Sequence, residues 1–351
     1  MFFYIIKRIL LMVPTLFGVM LVTFIITQFV PGGPVEKMMA EIEGYGHDGG
    51  EVSSGGSRLY RGDSGLEGEK LEELKKLYGF DKPPAERFIT MMKHYLVFDF
   101  GESYYYHKSV VELVISRMPV SMSLGLWSFL IVYGVCIPLG IKKAVVAGSR
   151  FDIVSSTIIL VGYAIPGFVL GVILIVLFGG GSFWSVFPLR GLVSDNWAGL
   201  SFTGKILDYL WHMVLPVTAS SIGSLAVMTM LTKNSFLEEI RKQYVVTARA
   251  KGLSESRVLY GHIFKNAIIP IITGFPGFFI ASFFTGSLLI ETIFSLEGMG
   301  LLAYESVLNR DYPVVLGTLY FFTLIGLFSR LLSDLSYVMV DPRISFEAAE
   351  G

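Results

Sequence analysis

Arg330 and Asp334 stand four residues apart inside an apolar run. That spacing puts them on one face of a helix. Ionisable groups within a membrane mark ion or proton pathways by default, so such a pair suits an ion-coupled carrier. The plainer reading is a mutually neutralised pair near the end of a span, because Asp341 and Arg343 mark a polar boundary just beyond. Glu291 closes another apolar run, where it either reaches water or hydrogen-bonds a partner. Pro166 and Pro276 interrupt apolar runs and join Glu291, Arg330 and Asp334 as candidates for holding or gating a helix bundle.

Enzymatic constellations are missing. There is no Gly-x-Ser-x-Gly and no Ser/His/Asp cluster that the sequence places on one side of a membrane. His47, His94, His107, His212 and His262 form no close ligand pair, so no metal site is expected. Gly199-Leu200-Ser201-Phe202-Thr203-Gly204-Lys205-Ile206 begins like a phosphate-binding loop. It ends in Ile206, where a Ser or Thr must reach the magnesium ion, so no nucleotide site or cofactor is expected. The single cysteine, Cys136, cannot form an internal disulfide and reads as a small buried apolar residue.

The elements that would carry these groups are membrane helices. Of 351 residues, 53% are hydrophobic and 16% charged, where a soluble chain carries about a quarter charged. The apolar residues come in runs long enough to cross a bilayer, which takes about 20 residues as a helix. Six runs qualify: Ile9–Val30, Pro119–Ile141, Ile153–Phe178, Tyr209–Leu231, Ala267–Glu291 and Pro313–Val340. The first is longer than a signal-peptide core, lacks a small-x-small cleavage site and is closed by Pro31-Gly32-Gly33-Pro34, so it reads as an uncleaved span. Residues 31–118 form a long polar region with a Gly- and Ser-rich insertion at 44–68. Within it, Glu69 to Tyr78 has helical spacing and Gly79 follows as a C-cap, so a small folded extramembrane domain is expected.

Orientation follows from Lys and Arg in short loops. Lys7 and Arg8 precede the first span, Lys142, Lys143 and Arg150 follow the second, and Lys233, Arg241, Lys242, Arg249, Lys251, Arg257 and Lys265 follow the fourth. The loops after spans three and five carry few basic residues. Both termini, including the tail at 341–351, are therefore expected on the cytoplasmic side. Net charge is −1 and gives no indication of a nucleic-acid partner.

The segment at 236–266 is too long for a tight loop and too polar to span. Phe236 to Lys251 suits a helix, Gly252 supplies a turn, and Ser254 suits the N-cap of a second helix beginning at Glu255. Ala248, Ala250 and Gly252 leave little bulk at the turn. That suits insertion into a groove on another protein better than binding lipid, which calls for Trp, Phe or Leu along one face.

Tyr244-Val245-Val246-Thr247-Ala248-Arg249-Ala250-Lys251-Gly252-Leu253-Ser254, followed by His262 and Asn266-Ala267, resembles the EAA loop of ABC importer permeases, in the wording of the dipeptide/oligopeptide branch. Val246 and Thr247 replace the Glu and Ala of the general signature, and Lys265 replaces the branch's usual Arg. Tyr78–Pro83, Phe98–Ser103, Arg310–Pro313 and Asp341–Ile344 resemble other phrases of that family. So does Glu291–Gly300, with Glu297 for Pro and Met299 for Leu; Arg330 stands where Asn is usual. Gly181–Trp184 and Phe187–Gly191, with the long insertion, resemble the Yej-type subgroup, which imports peptides and peptide-like antibiotics such as microcin C.

The resemblance implies an all-α, six-helix type I importer permease of the bacterial inner membrane. Its core would lie at 119–340 and its coupling loop at 236–266. It implies a second homologous permease, two cytoplasmic ATP-binding subunits or one fused ATPase, and a periplasmic peptide-binding protein. Val246, Thr247, Ala248, Arg249, Ala250, Lys251, Gly252, Leu253 and Ser254 would contact the ATPase. The chain itself would be no enzyme.

Overall fold

A computed structural model describes residues 2–29, 81–180, 183–284 and 286–340. The insertion at 44–68, the helix expected at Glu69–Tyr78 with its Gly79 cap, the pair Gly181-Ser182, the Asp341–Ile344 phrase and the tail at 341–351 lie outside these residues. The described chain is helical, with no strand beyond the isolated bridges Glu102–Ser109 and Gly179–Ser185.

In chain order, α1 is Phe2–Phe29 and α2 is Pro84–Tyr95; α3 is Val110–Val145, α4 Arg150–Ala164 and α5 Gly167–Phe178. Then come α6 (Phe202–Ile240), α7 (Gln243–Ala250), α8 (Glu255–Val258) and α9 (Phe264–Ala267), the last two joined by a π turn at Leu259–Ile263. Last are α10 (Ile269–Phe284), α11 (Leu288–Ile293), α12 (Met299–Leu308) and α13 (Tyr312–Val340).

Four helices, α1, α3, α6 and α13, are long and apolar enough to cross a membrane unbroken. The run expected at Ile153–Phe178 is bent, and in the run expected at Ala267–Glu291 only α10 remains, bent against the segment before it. α4 and α5 meet at 95°, and Glu255–Ala267 meets α10 at 53°. Six crossings result when each bent pair is one span. Prolines do not mark these bends uniformly. Pro14, Pro119, Pro138, Pro216 and Pro276 all sit inside continuous helices. Such prolines are tolerated in membrane bundles. At Pro166 the helix does break, because Ile165 adopts an extended backbone (φ −88°, ψ 118°), the conformation a following proline imposes. Of the two candidate gating prolines, Pro166 therefore stands at a bend and Pro276 does not.

Several boundaries differ from the sequence reading, with α1 and α6 also longer than the runs expected for them. α3 starts at Val110, nine residues before Pro119, and its 36 residues make it about 54 Å long. The run ending at Glu291 is two helices, so Glu291 lies on α11 and not on the end of α10. The helix expected from Phe236 to Lys251 breaks at Arg241-Lys242 into α6 and α7.

The chain divides into two compact units. Of the described residues, one holds 11–29, 81–115 and 303–323; the other holds those within 2–10, 116–302 and 324–340. In the first, Phe88, Tyr95, Phe100, Val110, Leu113 and Tyr320 are buried. The second has two cores. Leu124, Met213, Leu215, Val217, Ala219, Ile290, Phe294 and Leu296 form one of them. Ile141, Ala144, Phe236, Val245, Ala248, Val258, Ile263 and Ala267 form the other, beneath α7.

Candidate functional site

α7 is seated by alternate turns of one face. Val245 is 0% exposed and Ala248 5%, three residues apart as a helix requires. The opposite face carries Val246, Thr247, Arg249 and Ala250, all exposed, followed by exposed Lys251, Gly252 and Ser254. Val246 is an apolar residue 55% exposed on a short polar helix.

The turn is braced from both ends. Lys242 bonds Glu239, whose other oxygen accepts from the Tyr244 hydroxyl at 2.6 Å. The Glu239 hydrogen bond holds the Lys242 ammonium above its ordinary pKa. Burial, then the same carboxylate, raises the Tyr244 phenol. Beyond the turn, Arg249 grips Glu255 through Nε at 2.9 Å and Nη2 at 3.0 Å, the two-pronged geometry that fixes orientation. Gly252 has φ +79°, which glycine adopts freely. Leu253 is half-buried, and Ser254 occupies the N-cap position of α8 without a side-chain cap bond. The result is a rigid, small-featured knob.

The intramembrane charges sort differently from their spacing. Asp334 does not pair with Arg330. It accepts from the Tyr4 hydroxyl at 2.9 Å and pairs with Arg8 at 3.0 Å, tying the start of α1 to the end of α13. Arg330 is exposed and has no ion pair among the described residues. A helix spacing of four permits a pair; a competing cation on another helix won it.

Glu291 is fully buried. Its carboxylate accepts from Ser287 N at 2.9 Å, Leu301 N at 2.7 Å and Ser121 Oγ at 3.2 Å. Ser121 Oγ in turn accepts from Met299 N. The carboxylate thus caps the first turn of α12, where a negative group is favoured. Gly298 and Gly300 are required by this contact: a Cβ on Gly298 would fall onto the carboxylate, and one on Gly300 would stand 2.7 Å from Leu288 N. Of the two readings open from sequence, hydrogen bonding wins over contact with water.

A second carboxylate does the same work in the other unit. Asp311 is fully buried, accepts from Tyr104 N at 3.1 Å, and bonds the Ser103 hydroxyl. The Phe98–Ser103 and Arg310–Pro313 phrases therefore touch. Nearby, Asp99 bonds His94 and Gly101 N, and these bonds hold its carboxyl below the usual range, His94 contributing most. Asp311→Ala leaves buried donors without an acceptor and is expected to cost about 3 kcal/mol. Hydrogen exchange across residues 96–109 checks this: protection there should fall most.

Enzyme-like groupings do not mature into sites. Ser201 caps α6 by accepting from Gly204 N, so the phosphate-loop look-alike is an ordinary helix start. Ser194, Asp208 and His212 do meet, which the sequence reading missed. However, the serine bonds the aspartate and His212 bonds the Asp208 carbonyl, so the imidazole does not face the hydroxyl as a triad needs.

Residues 136–346 match the family model described as "Binding-protein-dependent transport system inner membrane component". The chain belongs to this family. Among its curated relatives is the "Peptidoglycan transport system permease protein YejB" of Agrobacterium fabrum, 55% identical over 98% of each chain. The "Inner membrane ABC transporter permease protein YejB" of Escherichia coli O157:H7 is 53% identical over 98% of this chain and 99% of its own. The "Oligopeptide transport system permease protein AppB" of Bacillus subtilis is 30% identical over 98% and 99%. The part that matches the family model takes in the α7 knob, Glu291 and Asp311, and leaves out α1 and α2. It makes this chain, with its apolar helices, a multi-pass inner-membrane protein.

Proposed function

We propose that this chain is the permease subunit of an ATP-driven ABC importer for peptides. The observation that carries the reading is near-full-length identity to permeases of such systems. Its substrates are peptides, including those borne by peptidoglycan fragments, in keeping with the names of these relatives and of the di/tripeptide permeases at 31% identity. It forms the path with a second homologous permease. Two cytoplasmic ATP-binding subunits, or one fused ATPase, hydrolyse ATP, and a periplasmic binding protein delivers the peptide. Both termini face the cytoplasm, and the region at 31–118 forms a small extracytoplasmic domain.

In this reading Val246, Thr247, Arg249, Ala250, Lys251, Gly252 and Ser254 are the contact surface for the ATPase. Ala248 and Leu253 seat that surface on the bundle. The braced turn with its exposed face of small residues supports it, because the bonds to Glu239 and Glu255 fix that face in place. Glu291, Asp334 and Pro166 hold the bundle, and nothing in their bonding provides an ion relay.

The test is transport in liposomes. Complex containing both permeases, the ATPases and the binding protein is expected to take up peptide only with ATP. The isolated chain under a proton gradient is expected to take up none. Gradient-driven uptake by the isolated chain, or ATP-independent uptake by the complex, would overturn the assignment.

A further inference from the structure

Lys143 and Lys233 count in the sequence only as loop charges, and nothing there singles out Asp152. In the structure they form a closed cluster joining three helices. Lys143 is fully buried on α3; its ammonium donates to Asp152 O at 3.0 Å, Ser155 Oγ at 2.7 Å and Ser156 Oγ at 2.8 Å. It also lies 3.3 Å from Asp152 Oδ1. Lys233 on α6 donates to both Asp152 oxygens, at 2.7 and 2.8 Å. Asp152 sits in the first turn of α4 and also accepts from Gly148 N. Two cations thus share one carboxylate out of water, a costly arrangement that needs every one of these bonds.

Its position gives the cluster a purpose. Lys233 is one turn before Phe236, and Lys143 lies between Ile141 and Ala144; those three apolar residues belong to the core that seats Val245 and Ala248 of α7. On the other side, α4 runs to the 95° bend at Pro166. Past the bend, α5 presses on α6 and α11: a Cβ on Gly167 would meet Ala219 O at 2.7 Å, and one on Gly171 would meet Phe294 at 3.3 Å. Gly140 packs equally closely on Thr232, so α3 and α6 move together here. A push on α7 reaches α6 and α3 through apolar packing. It passes to α4 through the Lys143 and Lys233 bonds to Asp152.

We propose that Lys143, Asp152 and Lys233 form a strut that carries displacement of α7 into the bent pair α4–α5, with Asp152 as the positioning residue. The inference rests on α7 being the ATPase contact and names what lies behind it. Packed elements with fixed polar links transmit discrete shifts, whereas a slack link dissipates them.

The test compares peptide imported per ATP hydrolysed in the reconstituted complex. Asp152→Glu keeps the charge and lengthens the link. The double variant Asp152→Asn with Lys233→Met keeps the cluster's net charge and removes the bonds that join α6 to α4. Both are expected to assemble and hydrolyse ATP while the peptide-per-ATP ratio falls roughly tenfold, an ordinary size for coupling between two sites. A wild-type ratio in either variant would overturn the strut. So would loss of uptake and hydrolysis together in step with lost assembly, which would make the cluster a folding element alone. Wild-type complex that fails to import with ATP defeats the functional assignment instead, before any variant is compared.

Discussion

Glu291→Ala unfolds the larger unit or leaves it at the edge of stability. The carboxylate is fully buried and holds Ser287 N, Leu301 N and the Ser121 hydroxyl. Removing it strands these donors at about 1–3 kcal/mol each, so the expected loss is about 4 kcal/mol or more. Glu291→Gln is expected to lose less, because its amide oxygen can still accept from Ser287 N and Ser121 Oγ while its NH2 faces Leu301 N, which loses its acceptor. The glycines follow the same logic: Gly298→Ala forces a methyl group into the carboxylate's place and fails with Glu291 present. The chain supplies its own reporter. Cys136 is the only cysteine and is 0% exposed, so a thiol-reactive dye registers unfolding in detergent. The dye transition should fall sharply in Glu291→Ala. An unshifted transition would show that the carboxylate does not hold α12.

Neighbouring residues on α7 should give opposite phenotypes. Val246→Asp places a charge on a side chain that is 55% exposed and outside the buried core beneath α7. Stability should change by no more than about 0.5 kcal/mol. Docking is another matter, since a charge desolvated at an interface costs about 3 kcal/mol, or roughly a hundredfold in ATPase affinity. Uptake should fall correspondingly, with the permease still folded. Val245→Asp instead buries an unpaired charge in the core shared with Phe236 and Val258, at a cost of about 4 kcal/mol or more, and destroys the fold. Gly252→Glu mixes the two effects. Its Cβ meets open space, but at φ +79° any side chain adds about 1 kcal/mol of backbone strain. Dye transitions and uptake measured side by side on Val245→Asp and Val246→Asp separate seat from surface.

Local features proved legible in the sequence. Four of the six runs lie in unbroken helices and follow from hydropathy alone, and the turn at Gly252 follows from one glycine between two helix-forming stretches. Partners across the fold were not legible. Arg330 and Asp334 have ideal helical spacing, yet Asp334 bonds Arg8 and Tyr4, more than 300 positions away. Lys143 reads as a loop charge because one residue type serves equally for solvent and for a buried clamp. The bend at Pro166 escaped for a related reason. Prolines inside α3, α6 and α10 change nothing, and only the extended Ile165 before Pro166 separates the cases. The short helices α11 and α12 are set by the glycine-lined carboxylate between them, a tertiary contact that periodicity does not encode.

The claim at the centre of this account is that an ATPase subunit seats on the exposed face of α7. Placing the only thiol there tests it most directly. In a Cys136→Ala background, Val246→Cys within the assembled, transporting complex should cross-link to an ATPase subunit through a short thiol-to-amine reagent. A thiol placed at buried Val245 should not. An active complex whose residue 246 remains fully labelled by a water-soluble thiol reagent and forms no ATPase adduct would contradict the account.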